Sequence, residues 1–312
     1  MAERIIRIGT RGSLLALRQS TNVKEALEAH WRGLRVDLEI IRTTGDRIVD
    51  VPLAKVGGKG LFVKEIEDAL LAGAIDLAVH SMKDVPALLP DGLEVGVIPK
   101  REDQRDVLVS AIARDFAGLP RGAKVGTSSL RRSAQVKRLR PDVEVFNLRG
   151  NLDTRLRKLA EGQYDAIVLA AAGLHRMGWK DRITAYLEPG EFVPAIGQGA
   201  IGIEFRSDDA EVRRVLAPLH DPETEVAVAA ERSLLRELEG GCQVPIGGFA
   251  RVYGDNVELT GMVSSLDGRE MYRVIRSAAR AEAVRLGRSV ARELLGAGAG
   301  RILDEVYRSR IC

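Results

Sequence analysis

Cys242 is one of only two cysteines in 312 residues, and its setting bears on its reactivity. It lies in the run Leu238-Glu-Gly-Gly-Cys-Gln-Val-Pro-Ile-Gly247. Two glycines before it and a proline three residues after it predict a tight, irregular turn. A thiol on such a turn can meet solvent and ligand, and it is a good nucleophile even when mostly protonated. By composition alone a buried, inert cysteine is the commoner case, so the rest of the chain must decide between the two. Cys312 is the last residue of the sequence and suggests no chemistry.

A second set of residues could bind anions. Thr127, Ser128 and Ser129, in Val125-Gly-Thr-Ser-Ser-Leu-Arg-Arg132, can cap a helix whose free N–H groups and dipole favour negative charge. Arg131 and Arg132 then fall in the first turn, where cations are unfavourable unless an anion answers them. Thr10-Arg11-Gly12-Ser13 follows the same logic. Arg149 and Arg155 flank the next helix start, and Arg176 follows a strand end. Any one of these arginines could be a solvated surface charge. Six at expected strand-end turns point to a small polycarboxylate, which guanidinium binds bidentately. Residues 124–182 hold thirteen Lys/Arg against six Asp/Glu, although the whole chain carries only +3. In His80-Ser-Met-Lys-Asp-Val-Pro86, Lys83 and Asp84 directly follow a strand. Asp84 can accept a ligand N–H or steady a developing cation there. A helix cap or a local Lys–Asp pair is the plainer alternative.

Several functions are disfavoured. Gly197-Gln-Gly-Ala-Ile-Gly202 matches a dinucleotide fingerprint, but Ile203-Glu-Phe205 reads as strand where a helix is required. Gly57-Gly-Lys-Gly60 lacks the order of a phosphate loop and reads as a mobile glycine-rich loop. The four histidines show no metal-ligand spacing, so no metal is expected. Aromatic residues make up 4% of the chain, which is poor for stacking on nucleic acid bases. No apolar run reaches membrane-spanning length. The first residues are too charged for a secretory segment, and two cysteines make no disulfide framework, so a reduced cytoplasmic location is expected.

The elements that must position these residues are α/β units. Strands are predicted at Arg4–Ile8, Arg35–Ile41, Asp76–Val79, Asp106–Val109, Lys124–Gly126, Val143–Phe146 and Asp165–Ala170. Helices are predicted at Leu14–Ala29, Leu61–Ala72, Leu130–Leu139 and Leu152–Glu161. Such alternation implies a mainly parallel sheet. Ile8-Gly-Thr-Arg-Gly-Ser resembles Val125-Gly-Thr-Ser-Ser, and the spacings Gly60 to Asp76 and Gly150 to Asp165 nearly agree. This weak repeat predicts two similar lobes with a ligand cleft between them. After about Leu219 the pattern changes. A helix over Asp221–Glu239, strands at Ala250–Tyr253, Val257–Val263 and Met271–Arg276, and helices at Ala281–Leu295 and Ile302–Tyr307 predict a smaller α+β domain.

Together these motifs resemble the porphobilinogen deaminase (hydroxymethylbilane synthase) family over essentially the whole chain. The matching stretches are Thr10–Ser13, Gly57–Glu65, His80–Pro86, Val125–Arg132, Leu148–Asn151, Ala195–Gly199 and Leu238–Gly247. The resemblance implies an α/β fold with two lobes like type II periplasmic binding proteins. Lobe 1 would span 1–99 with a return over 200–217, lobe 2 100–199, and the C-terminal domain 220–312. It implies a transferase that joins four porphobilinogen units with release of ammonia, then hydrolyses off hydroxymethylbilane for tetrapyrrole and heme synthesis. A dipyrromethane cofactor would be held through a thioether to Cys242. Ser81, Lys83, Asp84, Ser129, Arg131 and Arg132 would bind that cofactor. Arg11, Ser13, Thr127, Arg149, Arg155 and Arg176 would bind substrate and the growing chain. Asp84, with Lys83, would be catalytic, stabilising the cation formed on deamination. Lys55, Lys59 and Phe62 would belong to the mobile loop, and Gln198 to the crossover between lobes. The implied partner is porphobilinogen with its oligomers, bound by a cytoplasmic monomer that engages neither nucleic acid nor membrane. The rival readings are a non-enzymatic polycarboxylate-binding protein and a nucleic-acid binder acting through the basic segment.

Overall fold

The computed structural model describes residues 5–44, 63–238 and 244–308. They form two compact units, one containing 5–44, 63–101 and 200–225, the other 102–199, 226–238 and 244–308.

The first unit is a five-stranded sheet with strands β1 (Ile5–Thr10), β2 (Arg35–Ile40), β3 (Leu77–Ser81), β4 (Leu93–Val97) and β10 (Ile201–Arg206). Their order is β2-β1-β3-β10-β4. One face packs on helices α1 (Leu14–His30) and α6 (Ala210–Leu216) through Ile6, Ile8, Ile203, Phe205, Leu27 and Val212. The other face takes α2 (Lys64–Leu71) through Ile66, Leu70, Ile75 and Ala78. Burying one such leucine or isoleucine is worth about 1.5–3 kcal/mol.

The second unit repeats this plan with β5 (Asp106–Ser110), β6 (Lys124–Gly126), β7 (Glu144–Phe146), β8 (Ala166–Ala170) and β9 (Ala185–Leu187), in the order β7-β6-β8-β5-β9. Helices α3 (Leu130–Leu139), α4 (Leu152–Ala160) and α5 (Ala171–Arg176) connect them. Alternate residues of β8 enter opposite cores, Val168 on one face and Ile167 and Leu169 on the other. Helix α7 (Pro222–Glu237) follows, with Asp221 accepting a hydrogen bond from Thr224 N at 2.8 Å and Pro222 at the first position. The antiparallel sheet β11 (Ile246–Tyr253), β12 (Asn256–Ser264) and β13 (Met271–Ala279) then packs with α7, α8 (Ala283–Leu294) and α9 (Gly300–Arg308) around Leu234, Leu259, Val290 and Ile302. The two similar lobes and the small third domain are therefore present.

The repeat is physical. Asp76 accepts from Arg7 N at 2.8 Å, and Asp165 accepts from Lys124 N at 2.7 Å. Each aspartate N–H in turn donates to the carbonyl of that same residue. A Cβ on Gly9 would lie 2.3 Å from Ile75 Cδ1, and one on Gly126 would lie 2.8 Å from Tyr164 Cδ1. In both lobes the residue before the aspartate packs flat on the glycine of the Gly-Thr pair.

The sheets are mainly parallel, as expected, each with one reversed strand: β1 runs parallel to β2 and β3, but β10 is antiparallel to both β3 and β4. In the second sheet β6 is parallel to β7 and β8, and β5 is antiparallel to β8 and β9. In each sheet the reversed strand is the one that enters after the chain has left the other unit. One bound needs correction: strand β11 begins at Ile246, four residues before the expected Ala250. Gly247 and Gly248 sit in the strand where residues 193–196 approach closely. Gly248 N donates to Pro194 O at 2.9 Å, and a Cβ on Gly247 would be 3.1 Å from that oxygen.

Candidate functional site

In the first unit the candidate residues gather at the carboxyl end of the parallel strands. Arg11 follows β1 directly, and Ser13 caps α1 by accepting from Ala16 N at 3.3 Å. Ser81 ends β3, and its hydroxyl accepts from Gln19 Nε2 of α1 at 3.1 Å. Gln19 is itself buried. A single helical turn follows over Met82–Asp84, tied back by Met82 N to Ala200 O at 3.0 Å. Met82 is buried, Lys83 half-buried and Asp84 exposed. The sequence therefore places Lys83 and Asp84 on a turn fixed from below by an apolar anchor.

The second unit arranges its residues at the corresponding end. Thr127 follows β6, is buried, and donates its N–H to Phe146 O at 2.9 Å. Its Oγ1 accepts from Ser129 N at 3.2 Å. Ser129 caps α3, which puts Arg131 and Arg132 in the first turn. Arg149 precedes Gly150, which has φ +110°, the region open mainly to glycine. Arg155 turns back from α4, its Nε donating to Gly150 O at 2.8 Å. Arg176 ends α5 and donates to Gly199 O at 2.7 Å. Burial pulls the Arg176 guanidinium down to about 10 against the opposing pull of Glu102, so it stays a cation at neutral pH.

Sequence reasoning gave no role to Asp106, the first residue of β5. It is fully buried and pairs across the sheet with Ala170, the last residue of β8. The reversed strand thus brings a carboxylate to the carboxyl end of the parallel ones. Arg131 Nη1 lies 2.6 Å from its Oδ2, and Arg132 Nε donates to its Oδ1 at 2.8 Å. Gln198, also fully buried, donates to the same Oδ1 at 3.0 Å and to Gln104 O at 2.8 Å. Its own Oε1 accepts from Arg132 Nη2 at 3.4 Å. Burial pushes the Asp106 carboxyl up, but the two guanidiniums pull harder and hold it at about 2. The anion that answers Arg131 and Arg132 inside the chain is therefore Asp106. Two buried guanidiniums against one carboxylate leave a positive excess, which suits a bound group carrying carboxylates. A polar residue opening an otherwise apolar strand, Asp106-Val-Leu-Val, was the available signal.

Cys242, Lys55, Lys59 and Phe62 lie outside the described residues, so the expectation of a thioether at Cys242 rests on sequence alone. Among the described residues no group of three or more His, Cys, Asp or Glu could hold a metal, and no helix is long and apolar enough to cross a membrane.

Comparison with known proteins bears on this geometry. The family described as "Porphobilinogen deaminase, dipyromethane cofactor binding domain" matches residues 6–214, and "Porphobilinogen deaminase, C-terminal domain" matches 226–296. A porphobilinogen deaminase of Syntrophobacter fumaroxidans is 67% identical over 99% of this chain and 100% of its own length. One of Trichlorobacter lovleyi is 52% identical over 100% of this chain and 99% of its own. Similar solved structures include a putative methionine-binding lipoprotein of Bacillus subtilis (TM-score 0.43, 10% identity, 72% of this chain and 93% of that one). A periplasmic substrate-binding protein from Coxiella burnetii is comparable (TM-score 0.43, 14% identity, 73% and 96%). Matched along nearly its whole length both by the family's two domains and by relatives of that one name, this chain belongs to the porphobilinogen deaminase family.

Proposed function

We propose that the residues at the two sheet ends divide the work of a porphobilinogen deaminase between them. The chain is a transferase with a dipyrromethane cofactor. When bound, that group supplies the free pyrrole carbon to which the first porphobilinogen is joined. Each addition forms one carbon–carbon bond, expels ammonia from the aminomethyl arm and releases the proton of the pyrrole carbon. After four additions water cleaves off hydroxymethylbilane.

The chain's own residues bind, orient and stabilise. Cys242 is the attachment point. Arg131, Arg132 and Ser129, with Ser81 and Lys83, hold the carboxylates of the cofactor. Arg11, Ser13, Thr127, Arg149, Arg155 and Arg176 hold those of substrate and product, each charge-assisted bond being worth about 1.5–3 kcal/mol. Asp84 accepts the pyrrole N–H groups and offsets the positive charge that develops as ammonia leaves. Lys83 sits beside it on the same turn and contributes to the same step. Gln198 supports this set by holding Arg132 and Asp106 together, and Lys55, Lys59 and Phe62 contribute from the preceding loop. The protein acts as a cytoplasmic monomer, with lobe 1 over 1–99 and 200–217, lobe 2 over 100–199 and the C-terminal domain over 220–312.

The observation that carries this reading is the Arg131–Asp106–Arg132 cluster. Its buried charge is one anion short, at the strand ends where α/β sheets bind ligands. The intact mass of the denatured protein tests it. Wild type should exceed the bare chain by two porphobilinogen residues, and Cys242→Ala should not. A bare mass for wild type that persists after incubation with porphobilinogen would overturn the assignment.

A further inference from the structure

Three buried ionisable side chains in the first unit have no role in the reading above. His80 on β3, Glu204 on β10 and Glu67 on α2 are 6%, 1% and 8% exposed. All three belong to the sheet face that α2 covers. His80 Nε2 lies 2.8 Å from Glu204 Oε2, within ion-pair reach but not aligned as a hydrogen bond. Glu67 Oε1 and Glu204 Oε1 are buried with no hydrogen-bond partner among the described residues.

The cations nearby are engaged elsewhere. Arg7 of β1 pairs with Asp76 at 3.1 Å. Arg206 of β10 is held by Asp209 and by the Leu70 and Ile75 carbonyls. Arg213 of α6, on the opposite face of the sheet, is taken by Glu94 of β4. Lys64, at the start of α2, is exposed, as is Asp68. Among the described residues His80 is thus the one basic side chain facing these two buried carboxyls. Burial first, then Glu204 and Asp68, raise the Glu67 carboxyl against the pull of His80.

The cluster also sits where it can matter. His80 immediately precedes Ser81 and the Met82–Asp84 turn. It lies opposite Gly202 of β10, with Glu204 on the diagonal. Gly202 leaves room for Met82, since a Cβ there would be 2.2 Å from Met82 Sδ. Below the turn β3 is therefore joined to β10 by an ion pair, and the turn itself by Met82 packed on a glycine.

We propose that His80, clamped to Glu204 with Glu67 buried behind them, is a positioning residue for the turn that presents Lys83 and Asp84. This rests on the roles given to those two residues above. His80→Gln and Glu204→Gln should each lower kcat about tenfold per folded molecule, with KM changed less than threefold. The double variant should be no worse than either single one, because the pair acts as a unit. Glu67→Gln removes a carboxyl whose raised pKa costs stability as pH climbs above the usual carboxylate range. It should gain about 2–4 °C in Tm at pH 8 and nothing at pH 4.5.

Wild type assayed and weighed alongside separates the two hypotheses. If wild type lacks primer and turnover, the functional reading fails. If wild type turns over and the folded His80 and Glu204 variants keep its kcat, or lose activity only through a lowered Tm, the positioning role fails. Should those variants not fold, an unchanged pH dependence of Tm in Glu67→Gln would still overturn the coupling of Glu67 to the pair in front of it.

Discussion

Asp106 gathers more of the candidate site than any other described side chain. It holds Arg131, Arg132 and Gln198 at once from the first position of β5. Replacing it by asparagine keeps the shape but leaves two guanidiniums buried together without a carboxylate. Removing one partner of a buried pair costs about 3–5 kcal/mol, so Asp106→Asn should lose about that much stability in denaturant titration. A loss under 1 kcal/mol would mean that the arginines find other anions. At this scale the sequence was readable in one sense and silent in another. Residue types at turns suggested anion binding; Arg11 does follow β1 directly and Arg131 and Arg132 open α3 after β6, whereas Arg155 lies within α4 and Arg176 ends α5. What could not be read was the partner. Asp106 lies 25 residues before Arg131, and only the reversed direction of β5 brings them together.

Among the elements, the paired Gly-Thr turns show how a short repeat specifies two lobes. Gly9 is required because Ile75 lies flat against it, with Cδ1 at 2.3 Å from any Cβ, and Ile41 Cδ1 at 3.2 Å crowds the same place. Gly9→Ala should therefore cost about 1–3 kcal/mol through overpacking. Ile75→Val removes that Cδ1 at a cost of about 0.5–1.5 kcal/mol alone. Combined with Gly9→Ala it should recover most of the loss, so a double-mutant cycle should show coupling above 0.5 kcal/mol. Additive losses would show that Gly9 serves the backbone instead. Helices and buried strands were legible because their periodicities differ. Strand direction was not, because Asp106–Ser110 and Ile201–Arg206 look like any apolar strand and their reversal depends on where the chain re-enters each sheet. The start of β11 at Ile246 was not legible either: a glycine pair such as Gly247-Gly248 can mark a turn or a close neighbour, and here residues 193–196 are that neighbour.

At the scale of the whole molecule, the two units should answer acid differently. In the second unit Asp106 falls from an ordinary 3.8 to about 2. A carboxyl depressed in the fold contributes stability above its unfolded pKa and loses it as pH drops through the folded one, here about 2–3 kcal/mol between pH 4 and 2. Glu102 and Asp103, also lowered, act in the same direction. In the first unit the effects oppose each other. Asp221 is lowered, but Glu67 is raised and so favours the folded state as pH falls toward the ordinary carboxylate range. The chain's two tryptophans report on them separately, Trp31 in the first unit and Trp179 in the second. Trp31→Phe and Trp179→Phe leave one reporter each, and fluorescence followed from pH 7 to pH 2 should show the Trp179 signal changing at higher pH than that of Trp31. Coincident midpoints, or Trp31 changing first, would mean that Asp106 does not set the acid limit. If the order holds, the carboxylate that gathers Arg131, Arg132 and Gln198 is also what keeps its lobe folded in acid.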